Sequence, residues 1–300
     1  MAGKSAETGS EYGLIEAGGT KFVLGIADAA RTIRARHQIP TTTPEETLGT
    51  AVAWFREQGL NPAAIGIASF GPLDLDPASP TWGHIPRTPK PHWTGADLVT
   101  PFAQAFACPV AIDTDVNGAA LSEYRWGAGV DDKSLLYLTI GTGIGGGFVN
   151  GKHAGGHLLH GLSHPEMGHI RVARHPQDHN YPGFCPFHGD CLEGLVAGPA
   201  IKARWNASLS DLPAVHPAHG IIAWYIGQAI CTFQAMLEPA RIVLGGGVMH
   251  APGLIEMVRD SAAEWGAGYF VGDPRAIIVP PGLGDNAGLL GALALVLEEG

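Results

Sequence analysis

Positive charge is scarce in this chain: 18 Lys and Arg stand against 28 Asp and Glu, a formal net charge of −10 over 300 residues. A protein this acidic repels phosphate backbones, which excludes a broad nucleic-acid-binding face. Charge of either sign is thin at 15%, while hydrophobic residues reach 45%. That balance excludes disorder and points to a well-buried globular protein. The 4 Cys are too few for a disulfide framework. No apolar run approaches the length of a membrane span, and the opening MAGKSAETGSEYG has no apolar core of a signal peptide. These absences lead to the expectation of a cytoplasmic chain without membrane contact, with residues 1–11 as a flexible tail. What is abundant is glycine, at 43 residues, with 23 Pro beside it and no collagen period. Many backbone positions must therefore do without a Cβ.

The pattern along the chain alternates strands and helices, and 300 residues suit two lobes better than one core. Residues 12–27 read as a hairpin around Gly18-Gly19-Thr20-Lys21. Thr43, Pro44 and Glu46 mark the start of a helix over 44–58, with Leu48, Val52 and Phe55 on one face. Strands are expected at 64–71, 109–115, 135–140, 241–249 and 276–280. Helices are expected at 97–106, 118–126, 193–206, 217–237, 252–265 and 286–298. Residues 72–95 and 153–191 are loop-rich, and Asn150-Gly151 reads as a tight hairpin turn.

Three glycine clusters follow strands: Gly18-Gly19-Thr20, the run Gly141-Thr142-Gly143-Ile144-Gly145-Gly146-Gly147, and Gly245-Gly246-Gly247. Bare backbone N–H groups in such turns crowd around phosphate oxygens, with Thr hydroxyls as added donors. Lys21 either adds charge there or faces solvent. No Walker A loop occurs, and the G-x-G-x-x-G letters at Gly141, Gly143 and Gly146 lack the helix of a dinucleotide fingerprint. One cluster alone reads as a tight turn; three at strand ends point to a nucleotide. Asp113-Thr114-Asp115-Val116-Asn117 sits at another strand end, where open α/β sheets bind ligands. A hydroxyl attacking a phosphate needs a carboxylate to take its proton, although Asp115 or Asn117 also suits a helix cap. Cys185-x2-His188-x2-Cys191 offers three metal ligands within seven residues. With a second imidazole it makes a closed tetrahedral zinc site. On spacing, His164, His169, His175 and His179 all qualify. Cys108 and Cys231 lie in the apolar runs FACPV and AICTF and read as small core residues. Trp82, Trp93, Tyr124 and Trp126 read as core before they read as stacking surfaces, Lys90 as exposed, and Ser69 as a strand end rather than a nucleophile.

EAGGTK, SFGPLD, a TPK..W segment (Thr88–Trp93), DTDVN, LTIGTGIGGG, HPEMGH, CPFHGDCLEG and IVLGGGV all occur in this one chain. Together they resemble the ROK family of sugar kinases, with closest similarity to its bacterial fructokinase branch. The resemblance spans residues 12–298. It implies an α/β, actin-like ATPase fold of hexokinase and ribonuclease-H-like type, with two lobes around a central cleft. The N-terminal lobe would cover 12–115, with helix 286–298 packing back on it. The C-terminal lobe would cover 116–285 and carry a zinc-binding loop at 164–193.

By the same resemblance Asp115 is the general base. Gly71, Asn117, Glu166 and Glu193 hold the sugar. Gly18, Gly19, Thr20, Lys21, Thr142, Gly143, Gly245 and Gly246 line the nucleotide. The resemblance selects His169 to join Cys185, His188 and Cys191 on a structural Zn2+. It further implies ATP, a catalytic Mg2+, D-fructose as substrate and a homodimer. Two departures stand out: Glu16 occupies a position where the wider family has Asp, and Asp113 one where many members have Glu or Asn. The alternatives are a ROK kinase for mannose, glucose or an N-acyl hexosamine, or a sugar-responsive regulator. A regulator needs an N-terminal DNA-binding segment, and 11 residues precede Tyr12.

Overall fold

The computed structural model describes residues 9–88, 90–151 and 155–297. Of the expected tail, residues 1–8 lie outside the described residues, and Glu11 already opens a strand. Contacts divide the chain into two units. The first contains residues up to Val130, Val149–Pro165 and the segment from Leu283; the second contains Asp131–Phe148 and Glu166–Gly282. This division differs from a boundary at 115/116, because the helix that begins at Asp115 packs on the C-terminal helix and on first-unit strands.

In the first unit, β1 (Glu11–Ala17), β2 (Lys21–Asp28), β3 (Ile33–Pro40), β4 (Pro62–Ser69) and β5 (Val110–Thr114) form one sheet in the order β3-β2-β1-β4-β5. β1, β2 and β3 pair antiparallel, while β1, β4 and β5 run parallel. β3 was not legible in the sequence: IRARHQIP carries charge along an edge strand and buries only Ile39. The sheet is covered on both faces. Ile15, Phe22, Leu24, Ile65 and Ile67 pack with Phe55 of α1 (Pro44–Glu57) and Phe102 of α2 (Thr100–Phe106). Leu14, Val23 and Ala68 pack with Leu289, Ala292 and Leu293 of the C-terminal helix (Ala287–Val296). α1 starts as expected, with the Thr43 hydroxyl accepting from the Glu46 N–H. α2 starts three residues later than expected. Asp97 stays ahead of it because its Oδ1 accepts from the N–H groups of Val99 and Thr100, both at 2.9 Å.

α3 (Asp115–Trp126) starts three residues earlier than expected, because Thr114 rather than Asp115 or Asn117 supplies the N-cap, its hydroxyl accepting from the Asn117 N–H.

The second sheet comprises β6 (Ser134–Ile140), β7 (Ile144–Asn150), β8 (His157–Leu158), β9 (Arg241–Gly245) and β10 (Ile278–Val279), in the order β10-β9-β6-β7-β8. By rank along the chain this repeats the order of the first sheet. β6, β9 and β10 are parallel. Asn150 pairs with His157, so the connection after β7 spans 151–156 instead of the expected tight turn; residues 152–154 lie outside the described residues. The helix expected over 193–206 breaks at Ala197, with α4 (Leu192–Val196) before it and α5 (Gly198–Trp205) after it, Pro199 favouring the fresh start. α6 (Ala218–Leu237) and α7 (Leu254–Gly266) pack on each other, and α8 (Pro274–Ile277) leads into β10. The C-terminal helix is α9. Among the described residues α6 is long and apolar enough to cross a membrane. Its Ile222, Ile226, Ile230 and Phe233 are buried in the second unit's core beside Leu254 and Val258 of α7.

Candidate active site

The sheet register brings the candidate residues of the first unit together. Ala17 pairs with Ser69, and Ser69 with Thr114, so β1, β4 and β5 end at one edge. The Gly18–Lys21 turn, Gly71 and Asp115 are the residues that follow those ends. The turn closes through the Gly18 N–H donating to the Lys21 carbonyl at 3.0 Å, and the Thr41 hydroxyl donates to the Gly18 carbonyl at 2.8 Å. Gly19, Thr20 and Lys21 are exposed. A Cβ on Gly71 would lie 3.1 Å from Nε2 of His164, which also sits 3.4 Å from the Leu73 N–H. His164 thus braces the Gly71 segment and takes no part in the cysteine cluster.

Two carboxylates sit at this edge. Asp115 is the first residue of α3, where partial positive charge favours an anion. Burial nevertheless pushes its carboxyl up to about 6; the Val116 N–H, 2.9 Å from Oδ1, opposes the rise and the Glu16 carboxylate adds to it. Glu16 is itself raised by burial, against the pull of Lys21 and Arg36. Its carboxylate lies over Gly288 of α9, where a Cβ would stand 2.2 Å from Cδ. An acid with a pKa near neutrality is suited to take and release a proton.

Next to Asp115 lies a network that no spacing in the sequence revealed. Asn117 Nδ2 donates to Asp113 Oδ1 at 2.7 Å, and the Thr114 N–H donates to the same oxygen at 2.7 Å. His160 Nε2 meets Asp113 Oδ2 at 2.8 Å. That bond, with the Leu158 backbone as a further partner, holds the imidazole above its usual pKa despite partial burial. Asn117 Oδ1 is buried and has no hydrogen-bond partner among the described residues. A buried acceptor left open next to a base is a place for a ligand hydroxyl.

The second unit assembles the other glycine turns. Thr139 pairs with Gly245, so β6 and β9 also end together, shortly before Thr142-Gly143 and before Gly246. The Gly141 N–H donates to the Gly143 carbonyl at 2.9 Å, and the Gly198 N–H to the Gly141 carbonyl at 2.8 Å. Glu193 of α4 reaches into this turn: its Oε2 accepts from the Ile144 N–H at 2.9 Å. A Cβ on Gly143 would come within 2.8 Å of that oxygen, so a larger residue there would push the Glu193 carboxylate aside.

The candidate metal ligands converge. One ligand atom each from His169, Cys185, His188 and Cys191 all lie within 4.8 Å of one another. His169 Nδ1 is 3.8 Å from Cys185 Sγ, 3.5 Å from Cys191 Sγ and 3.2 Å from His188 Nδ1, while Cys185 Sγ is 3.7 Å from His188 Nδ1. A tetrahedral ion with metal–sulfur bonds of about 2.3 Å and metal–nitrogen bonds of about 2.0–2.1 Å sets its ligand atoms about 3.3–3.8 Å apart. The four residues fit such an ion. Reciprocal backbone bonds between Cys185 and Gly189 shape the knuckle. Burial pushes the Cys191 thiol up to about 11, so metal binding must release a proton. His169 turns its Nε2 toward two carboxylates, Glu166 Oε2 and Glu193 Oε1, each at 4.0 Å. The two carboxylates beside this cluster are therefore the two that the resemblance assigns to the sugar. His175 lies outside the cluster, its backbone N–H on the Tyr225 hydroxyl.

Trp93 is fully buried, its Nε1 on the Thr42 carbonyl and its ring against Phe22 and Phe70, which makes it core. Cys108 and Cys231 are partly buried free thiols.

This geometry has known counterparts. The family model of the ROK family matches residues 12–299. The chain belongs to the ROK family. This ROK protein is 52% identical over 294 residues to a fructokinase of Zymomonas mobilis, an alignment covering 95% of this chain and 96% of that one. A ROK hexokinase from Thermus thermophilus superposes with a TM-score of 0.75 at 28% identity, over 95% of this chain and 97% of that chain. A ROK glucokinase from Streptomyces griseus, solved in complex with glucose and AMPPNP, gives a TM-score of 0.74 at 25% identity, over 94% and 98%. The two α/β sheets of this ROK chain are those of the actin-like ATPase fold.

Proposed function

We propose that this protein phosphorylates D-fructose at its 6-hydroxyl with ATP, giving fructose 6-phosphate and ADP. The observation that carries the chemistry is Asp115: a carboxylate at the start of α3, raised to about 6, two residues from the open acceptor of Asn117. The observation that favours fructose is the 52% identity to the Zymomonas mobilis fructokinase.

In this reading Asp115 takes the hydrogen of the 6-hydroxyl as that oxygen bonds to the γ-phosphorus. The bond from the γ-phosphorus to the bridging oxygen breaks, and ADP leaves. Gly71, Asn117, Glu166 and Glu193 hold the sugar. The backbone N–H groups of Gly18, Gly19, Thr20, Thr142 and Gly143, with Lys21, bind phosphate oxygens and stabilise the charge that spreads over the transferring group. Gly245 and Gly246 serve the adenosine. Magnesium enters with ATP, and Glu16, the acid beside the Gly18–Lys21 turn, would serve it. Zn2+ would be held by His169, Cys185, His188 and Cys191. With all four positions filled by protein it supplies no water and acts as a structural tie for Glu166 and Glu193. Use of ATP and of reduced thiols fits the cytoplasm, and the working state is a homodimer.

An ADP-release assay over fructose, glucose, mannose and N-acetylated hexosamines, with and without Mg2+, tests the reading. Fructose should give the highest kcat/KM, with activity dependent on Mg2+. A higher kcat/KM for another hexose would overturn the substrate, and no hexose-dependent ADP release would overturn the activity.

A further inference from the structure

Asp113 and His160 are not used by the chemistry above, and they rest against Asn117, which is. Asp113 is closed off, with 7% of its side chain exposed, whereas His160 keeps 37% exposed. A carboxylate only accepts hydrogen bonds, so His160 Nε2 carries a hydrogen and donates it to Asp113 Oδ2 at 2.8 Å. Asp113 Oδ1 takes the Thr114 N–H and Asn117 Nδ2. One carboxylate therefore joins the histidine, the cap residue of α3 and the Asn117 amide. The 3.4 Å approach of Asn117 Nδ2 to His160 Nε2 brings two donors together and adds no bond of its own. The consequence falls on Asn117. With Nδ2 committed to Asp113, the amide cannot flip, and Oδ1 stays open toward a ligand. An unrestrained amide would present either donor or acceptor and lose the distinction.

His160 comes from elsewhere in the chain. It lies 47 residues beyond Asp113 on the segment after β8, three residues before Ser163. Ser163 donates to the Leu73 carbonyl at 2.8 Å, and His164 braces Gly71. The same short segment thus touches both places where the first unit is assigned to the sugar.

We propose that His160 is a positioning residue for the sugar: through Asp113 it fixes the Asn117 amide so that Oδ1 accepts a substrate hydroxyl. The proposal rests on Asn117 binding the sugar, as proposed above. It gives Asp113 a purpose, since its carboxylate serves both His160 and Asn117. His160 acts on binding more than on the chemical step, because Asp115 takes the proton and is untouched.

The test compares steady-state kinetics of the full-length protein and its variants, with melting temperatures as a control. His160→Leu should raise the KM for fructose by about tenfold, with kcat changed less than about threefold and the KM for ATP unchanged. His160→Gln, whose amide can still donate to Asp113, should recover most of that loss. Because His160 acts through Asn117, His160→Leu on top of Asn117→Ala should add less than about twofold to the effect of Asn117→Ala alone. A lone fold-stabilising role predicts the opposite pattern: a lowered melting temperature, no split between the two substrates, and additive effects. That pattern, or a fructose KM in both His160 variants equal to wild type, overturns the proposal and leaves the kinase reading standing. If wild-type protein neither turns over nor binds a hexose, the kinase reading fails and this proposal with it. If His160→Leu does not fold, His160→Ala, which also removes the donor to Asp113, replaces it in the same kinetic and additivity comparison.

Discussion

Asp115 is the residue on which activity and stability pull in opposite directions. Its pKa of about 6 in the folded chain lies above the roughly 3.9 of an unfolded aspartate. The fold therefore favours the protonated form. The stability this residue contributes is present below about pH 4 and is lost as pH rises through about 6. The proposed role as base needs the ionised form, so kcat/KM should fall as pH drops through about 6, which a pH profile will show. Asp115→Asn should cost at least about 100-fold in kcat and yet raise the melting temperature at pH 7.5, with no gain near pH 4. A variant that is inactive but no more stable at neutral pH would contradict the strain assigned to the ionised group. Glu16 gives a second single-residue test. Gly288→Ala sets a Cβ about where the Glu16 carboxylate now lies, 2.2 Å from Cδ. The far end of a flexible side chain yields more readily than backbone, so the protein should fold, with Glu16 displaced. We expect a higher KM for MgATP and little change in the KM for fructose.

Among the elements, α3 and the cysteine knuckle carry the most function for their length. Thr114 caps α3 and so sets the direction in which Asp115 leaves β5. Thr114→Ala should cost about 1 kcal/mol by denaturant unfolding and lower kcat as well, since the proposed base is the next residue. The knuckle should bind one ion per chain. Cys185→Ser should abolish stoichiometric metal by elemental analysis, lower the melting temperature, and raise the fructose KM through Glu166 and Glu193. Full metal content in that variant would show that the four ligands are not the site. These elements also show what was legible in the sequence. The knuckle announced itself because its three closest ligands lie within seven residues, and the α1 cap because Thr43, Pro44 and Glu46 are neighbours. The start of α3 was misplaced because Gly118 looks like a beginning, whereas the cap that decides it is a single hydroxyl four residues earlier. β3 was missed because a charged edge strand has no apolar run. His160 was invisible because its partner is 47 residues away, and nothing local distinguishes it from His157 or His164.

At the scale of the whole molecule, two sheets of the same strand order each carry a strand-end glycine turn proposed for the phosphates of ATP, Gly18–Lys21 on the first and Thr142-Gly143 on the second. The chain that must attract this anion has a net charge of −10. The attraction proposed for phosphate is local: oriented N–H groups and Lys21 act over short range, while the net charge acts over the Debye length. That length shrinks from about 30 Å at 0.01 M salt to about 8 Å at 0.15 M. Raising salt over this range should therefore remove long-range repulsion of MgATP faster than it weakens the close contacts. The KM for MgATP should fall from low to physiological ionic strength, while the KM for fructose, a neutral molecule, stays constant within error. Fructose thus serves as an internal control for any general effect of salt on the fold. Should the MgATP KM rise with salt instead, the phosphate site must carry a positive field strong enough to outweigh the acidic surface, and Lys21→Ala would be the first variant to show where it arises.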